Sequence, residues 1–143
     1  MSPVRKVRFV RKQLLYVGNI VVSVKRGDKY ESLTIDRSKA TSSSVFNYCT
    51  QSGWTKKCET FEATKIPSVT GFNDGTWTLD LGASYENIYV KCYTNADKIE
   101  LLAENDGILE SYFIDPGRPR LPIDSKLISE VSKLNIFKVF FIV

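Results

Sequence analysis

Carboxylates are the side chains of this chain best suited, by type and number, to catalytic work. It carries 16 Asp and Glu and no histidine in 143 residues. Without imidazole there is no Ser-His-Asp or Cys-His pair, no histidine-based ribonuclease site and no histidine metal ligand. Three cysteines are too few for a four-thiolate zinc site. Neither Gly-x-Gly-x-x-Gly nor the phosphate-binding Gly-x-x-x-x-Gly-Lys-Ser/Thr loop occurs. Glycoside hydrolysis is the one class left, because it needs only two carboxylates across a cleft. Asp80, Glu86, Glu100, Glu104 and Glu110 qualify by type, and their spacing selects no pair. The expectation is a non-catalytic protein with no cofactor and no metal.

Binding chemistry is better represented. Arg5, Lys6, Arg8, Arg11 and Lys12 place five positive charges in the first twelve residues, where they could neutralise phosphates. The same pattern suits a charged edge strand that resists aggregation. The imbalance is local: residues 1–40 hold ten Lys and Arg against three Asp and Glu, and residues 41–143 hold ten against thirteen. Aromatic residues form a second set, in which Trp54, Trp77, Tyr89 and Tyr93 could make a platform for sugar rings or a partner surface. If Ile88, Val90 and Cys92 face a core, Tyr89, Lys91 and Tyr93 share the opposite face of their strand. A third candidate is the proline-rich loop 115–122 with Arg118 and Arg120. Arg26-Gly27-Asp28 matches the integrin-adhesion triplet, and a tight turn explains it more simply.

The elements that must position these residues are mostly strands. Trp77, Leu79 and Leu81 alternate with Thr76, Thr78 and Asp80, and Ile88, Val90 and Cys92 alternate with Tyr89, Lys91 and Tyr93. Leu14 to Val24 is rich in β-branched residues, with Gly18-Asn19 marking a bulge or bend. Asn73-Asp74-Gly75, Asn95-Ala96-Asp97 and Asn105-Asp106-Gly107 are turn signals. Two short helices are expected. One spans about 38–52, where Val45, Phe46 and Cys49 fall at helical spacing before Gly53. The other spans about 125–134, where Asp124 can cap a stripe of Leu127, Ile128, Val131 and Leu134. Residues 136–143 form a final apolar strand. The sum is a mostly β chain, an antiparallel β-sandwich or barrel of about eight strands, folded as a single domain over residues 1–143 with residues 1–12 as a basic arm or edge strand.

The odd cysteine count leaves at least one thiol without a partner inside the chain. Cys49 and Cys58 are close enough to close a small loop, while Cys92 sits in an apolar strand. The C-terminal apolar run is far shorter than the roughly 20 residues of a membrane span. The N-terminus lacks the apolar region of a signal peptide. It reads either as a native cytosolic start or as a mature chain bearing an added initiator.

The stretch Val90-Lys-Cys-Tyr-Thr-Asn-Ala-Asp-Lys-Ile-Glu-Leu-Leu102, followed by Asn105-Asp106-Gly107, resembles a strand-turn-strand of the immunoglobulin-like accessory domains of family 2 glycosidases. The resemblance covers residues 90–107 and implies a non-catalytic β-sandwich. In overall type the chain also resembles the small secreted effectors of plant-pathogenic fungi, which are compact, β-rich and catalytically empty. This implies a secreted, monomeric protein that acts by surface contact with a host protein, outside or inside the host cell, with Arg118, Arg120, Tyr89, Lys91 and Tyr93 as contact residues. Two other readings stand beside it. A cytoplasmic, coat-like nucleic-acid-binding protein would use Arg5, Lys6, Arg8, Arg11 and Lys12, as in small RNA-virus coat proteins. A carbohydrate-binding module would use the aromatic residues.

Overall fold

The computed structural model describes residues 3–71 and 73–113 in full and the backbone of Phe137–Ile142. The described residues form twelve strands: β1 (Val4–Arg11), β2 (Tyr16–Arg26), β3 (Lys29–Ser32), β4 (Ala40–Ser42), β5 (Phe46–Ser52), β6 (Thr55–Phe61), β7 (Ser68–Val69), β8 (Gly75–Tyr85), β9 (Ile88–Thr94), β10 (Lys98–Leu102), β11 (Ile108–Phe113) and β12 (Phe137–Ile142). Sheet A has the order β11-β10-β1-β8-β4. Sheet B has the order β12-β9-β2-β3, with β7 also paired to β2. Every pairing is antiparallel. Neither sheet closes on itself, so the architecture is sandwich-like and not a barrel.

The two sheets meet through the residues that alternation assigns to the inside. Val7 and Phe9 of β1, Trp77 and Leu79 of β8, and Ile99 and Leu101 of β10 pack against Val22 and Val24 of β2 and Ile88, Val90 and Cys92 of β9. Trp77 is fully buried and lies edge-on to Phe9, with ring centroids 5.6 Å apart. Its indole N–H donates to the carbonyl of Ala63 at 2.9 Å, so the one polar atom of the ring is satisfied. The Arg37 guanidinium lies 5.2 Å from the ring centroid, and burial holds its pKa below the usual arginine range. The Gly18-Asn19 irregularity is present: between Val17 and Ile20, β2 gains one residue over β9.

The helix expected over 38–52 is absent. Asp36 caps only one turn of 3-10 helix, Arg37–Lys39, by accepting from the Ser38 amide. The chain then pairs as β4 with β8 and as β5 with β6. Val45, Phe46 and Cys49 do share a helical spacing, but Phe46 and Tyr48 share a strand spacing, and cross-strand partners decide between the two. The helix expected over 125–134 lies outside the described residues, as does the loop 115–122. Among the described residues no helix is long and apolar enough to cross a membrane.

Two links cross from one sheet to the other side by side. Residues 12–15 carry the chain from β1 to β2, and Asn95-Ala96-Asp97 carries it from β9 to β10. Strands β9 and β10 therefore do not form a hairpin with each other. The two links have no ladder, and side chains join a few isolated backbone bonds in satisfying them. Asn95, fully buried, accepts from the Tyr16 amide at 2.7 Å and donates to the Leu14 carbonyl at 3.1 Å. The Thr94 hydroxyl donates to the Tyr16 carbonyl at 2.8 Å, and the Thr70 hydroxyl accepts from the Leu15 amide at 3.0 Å. Gly75 must be glycine here, since a Cβ would lie 2.4 Å from Thr70 Oγ1 and 2.7 Å from Leu15 Cβ. Replacing Asn95 by alanine strands the Tyr16 N–H and the Leu14 C=O in a buried site. Asn95→Ala should cost about 2–5 kcal/mol, read as a fall in the denaturant midpoint with an unchanged slope.

Strand β1 is fastened to β8 by charge as well as by its ladder. Arg5 Nε donates to Asp80 Oδ1 at 2.8 Å, and the Gly82 amide donates to the same oxygen at 2.8 Å. The Arg5 hydrogen bond is the largest effect on the Asp80 carboxyl; burial opposes it, and the Gly82 amide with the charges of Arg5 and Lys6 keeps the pKa below its usual value. A depressed carboxylate contributes stability that is fully present above its unfolded pKa, about 4, and is lost as pH falls through the folded value. Wild-type protein should therefore be more stable than Asp80→Asn at neutral pH, with the gap closing on acidification below about pH 4 in a urea titration series.

Candidate functional site

The basic segment is neither a free arm nor an edge strand. Val4–Arg11 is the middle strand of sheet A, paired to β10 on one side and β8 on the other. Its cations meet carboxylates brought in by those neighbours. Arg5 pairs with Asp80 at 2.8 Å and Glu104 at 3.7 Å, and Lys6 with Asp106 at 2.6 Å. Arg8 pairs with Glu100 at 2.8 Å, and Arg11 with Asp97 at 3.7 Å. Arg11 also donates to the Asn95 carbonyl at 2.6 Å, and the Lys12 amide donates to Asp97 at 3.1 Å. The Glu100 side chain is only 4% exposed and takes Lys98 as a second partner at 3.6 Å.

Those pairings also account for most of the candidate carboxylates. Asp80, Glu100 and Glu104 are engaged by β1 cations. Glu110 accepts from the Tyr112 hydroxyl, whose pKa burial and this bond push up to about 12. Glu86 is exposed in the link between β8 and β9. A cleft lined by Leu33, Ile35, Asp36, Lys39, Asp80 and Leu81 has a volume of about 60 Å³, against the roughly 300 Å³ at which small-molecule pockets begin. Among the described residues no group of three His, Cys, Asp or Glu could hold a metal ion.

The four aromatic candidates are dispersed. Trp77 is at the centre of the core. Tyr89, Lys91 and Tyr93 do lie opposite the buried Ile88, Val90 and Cys92, on the outer face of sheet B. Tyr93 packs at one end against a second apolar cluster of Leu14, Tyr16, Phe61 and Val69. Tyr89 approaches Tyr30 of β3, with ring centroids 6.3 Å apart. Val21 stands in register with Lys91, and Ser23 with Tyr89. Tyr30 is 41% and Val21 37% exposed, so this face offers aromatic, aliphatic and cationic groups together. Arg26-Gly27-Asp28 forms the turn between β2 and β3, and Arg26 is ion-paired with Glu31 at 3.2 Å. Arg118 and Arg120 lie outside the described residues.

Trp54 is elsewhere, and its position is the feature that sequence reading missed. Strands β5 and β6 form a separate two-stranded sheet whose last pair is Ser52 with Thr55, leaving Gly53-Trp54 as a two-residue turn. Gly53 has φ +59°, as the first position of a type II′ turn requires. Cys49 and Cys58 face each other in register and are joined by a disulfide. In the chain-entropy picture so small a loop is worth about 3 kcal/mol. Only the base of the hairpin is covered: Phe61 is buried, Phe46 and Tyr48 are half-buried against the second cluster, and residues 49–59 are exposed. Trp54 at the apex is 104% exposed. The available signal was the symmetry of the cysteines, four residues before Gly53 and four after Trp54.

No protein-family model, no curated protein and no solved structure matches this chain.

Proposed function

We propose that the protein is a non-catalytic, secreted binding protein of the effector type, which works by holding a rigid surface against a host protein. The observation that carries this reading is the outer face of sheet B, where Val21, Tyr89 and Lys91 stand on β2 and β9, whose opposite sides are fixed in the core, and Tyr30 of the exposed strand β3 joins them. Tyrosines on a rigid sheet give large contact area at small entropic cost, and aromatic residues dominate the anchors of protein interfaces.

Two further observations support it. The cross-strand disulfide of the hairpin suits an oxidising compartment, which favours secretion over the cytosol. The β1 cations are engaged with carboxylates of the same sheet, so phosphate binding by Arg5, Lys6, Arg8 and Arg11 would have to break existing pairs. That weighs against the nucleic-acid reading.

The test is co-precipitation from a host plant extract with the wild-type protein and with a Tyr30→Ala, Lys91→Glu double variant. Both side chains point away from the core, so thermal stability should hold within about 0.5 kcal/mol. The bound host protein should be lost with the variant. An identical set of bound proteins would remove the outer face of sheet B as the contact.

A further inference from the structure

The β5–β6 hairpin has no role in the contact just described, and its chemistry is of another kind. We propose that it is a membrane-docking prong, which sets Trp54 into the headgroup layer of an anionic bilayer while Lys56 and Lys57 pair with the acidic lipid groups.

Four observations carry this. The Trp54 ring is fully in water, at the apex of a two-residue turn, with no described side chain to cover it. Residues 50–58 are Thr, Gln, Ser, Gly, Trp, Thr, Lys, Lys and Cys, so two cations and no carboxylate surround it. The prong is long: at about 3.3 Å per residue, Trp54 stands about 17 Å beyond the Tyr48–Glu59 pair, where the hairpin leaves the second cluster. It is also held in shape by the Cys49–Cys58 disulfide, so little order remains to be imposed on contact.

Tryptophan and lysine together suit the bilayer interface. The indole has an apolar body and one N–H for the headgroup region, and lysine keeps its ammonium at the level of the phosphates. A convex tip needs a soft, anionic surface and no complementary pocket, which favours lipid over a protein partner. One aromatic ring and two cations make a weak, reversible anchor. Each lysine near an acidic membrane surface is worth roughly fivefold in affinity, and both together roughly thirtyfold.

The experiment mixes the full chain with phosphatidylcholine vesicles, with and without about 30% phosphatidylserine. Binding is read by sedimentation and by quenching of tryptophan emission with brominated acyl chains. Trp77 is buried in the core and provides the unquenched reference. Association with the anionic vesicles and partial quenching are expected. Trp54→Ala should abolish the quenching and weaken binding roughly tenfold or more; Trp54→Phe also loses the quenching, because only Trp77 remains, but should keep most of the binding read by sedimentation. Lys56→Gln with Lys57→Gln should weaken binding to anionic vesicles and leave neutral ones unaffected. No association at millimolar lipid overturns the proposal and returns the tip to the protein-partner class. Association that Trp54→Ala leaves unchanged also overturns it. Neither result bears on the sheet B face, whose variant leaves the hairpin intact.

Discussion

The buried amide of Asn95 joins two of the places where the chain leaves one sheet for the other. A sandwich needs such crossings, and each one interrupts the ladders that normally satisfy backbone groups. Here the β1–β2 and β9–β10 crossings lie together, so one side chain serves both: Asn95 in one link binds the amide of Tyr16 and the carbonyl of Leu14 at the end of the other. The backbone adds a bond from the Asp97 amide to the Val10 carbonyl at 2.8 Å. With that seam closed, β1 and β10 are adjacent in sheet A, β2 and β9 are adjacent in sheet B, and the inward-facing residues of all four share one core. Thr70 and Gly75 extend the same seam to β7 and β8, one by its hydroxyl and the other by lacking a side chain.

Strand β1 poses a related problem, since it is heavily charged yet lies in the middle of a sheet. The solution is positional. Its apolar Val7 and Phe9 point into the core, while Arg8 and Lys6 share the other face with Glu100 and Asp106. The exposed Lys6–Asp106 pair contributes little, whereas the Glu100 carboxylate is buried and needs its Arg8 partner. A further effect of the pairs is on solubility and on register, since a slip by one residue would turn the charges inward.

Strands with clean alternation were legible: Trp77 and Leu79 are buried, as are Ile88, Val90 and Cys92, with Tyr89, Lys91 and Tyr93 on the far face. The bulge at Gly18-Asn19 was legible from composition, because glycine and asparagine break a β-branched run. Other features were hidden because their causes lie far along the chain. The place of β1 depends on carboxylates 75 to 100 residues away in sequence. The stretch 38–52 was misread because spacing within it fits a helix, while its partners, β6 and β8, lie outside it. Of the candidate site, the Tyr89 row could be placed from alternation alone. Its companions Tyr30 and Val21 could not, since that requires the registers of β3 and β2.

The hairpin divides the chain into positions that the fold constrains and positions that it does not. Between Cys49 and Cys58 the side chains touch little of the body, and the disulfide and the turn glycine hold the shape regardless of what those side chains are. Residues 50–52 and 54–57 can therefore change in character with small effect on stability. A lineage carrying this scaffold could retune its contact chemistry at those seven positions alone, and divergence between relatives should concentrate there while the seam around Asn95 stays fixed.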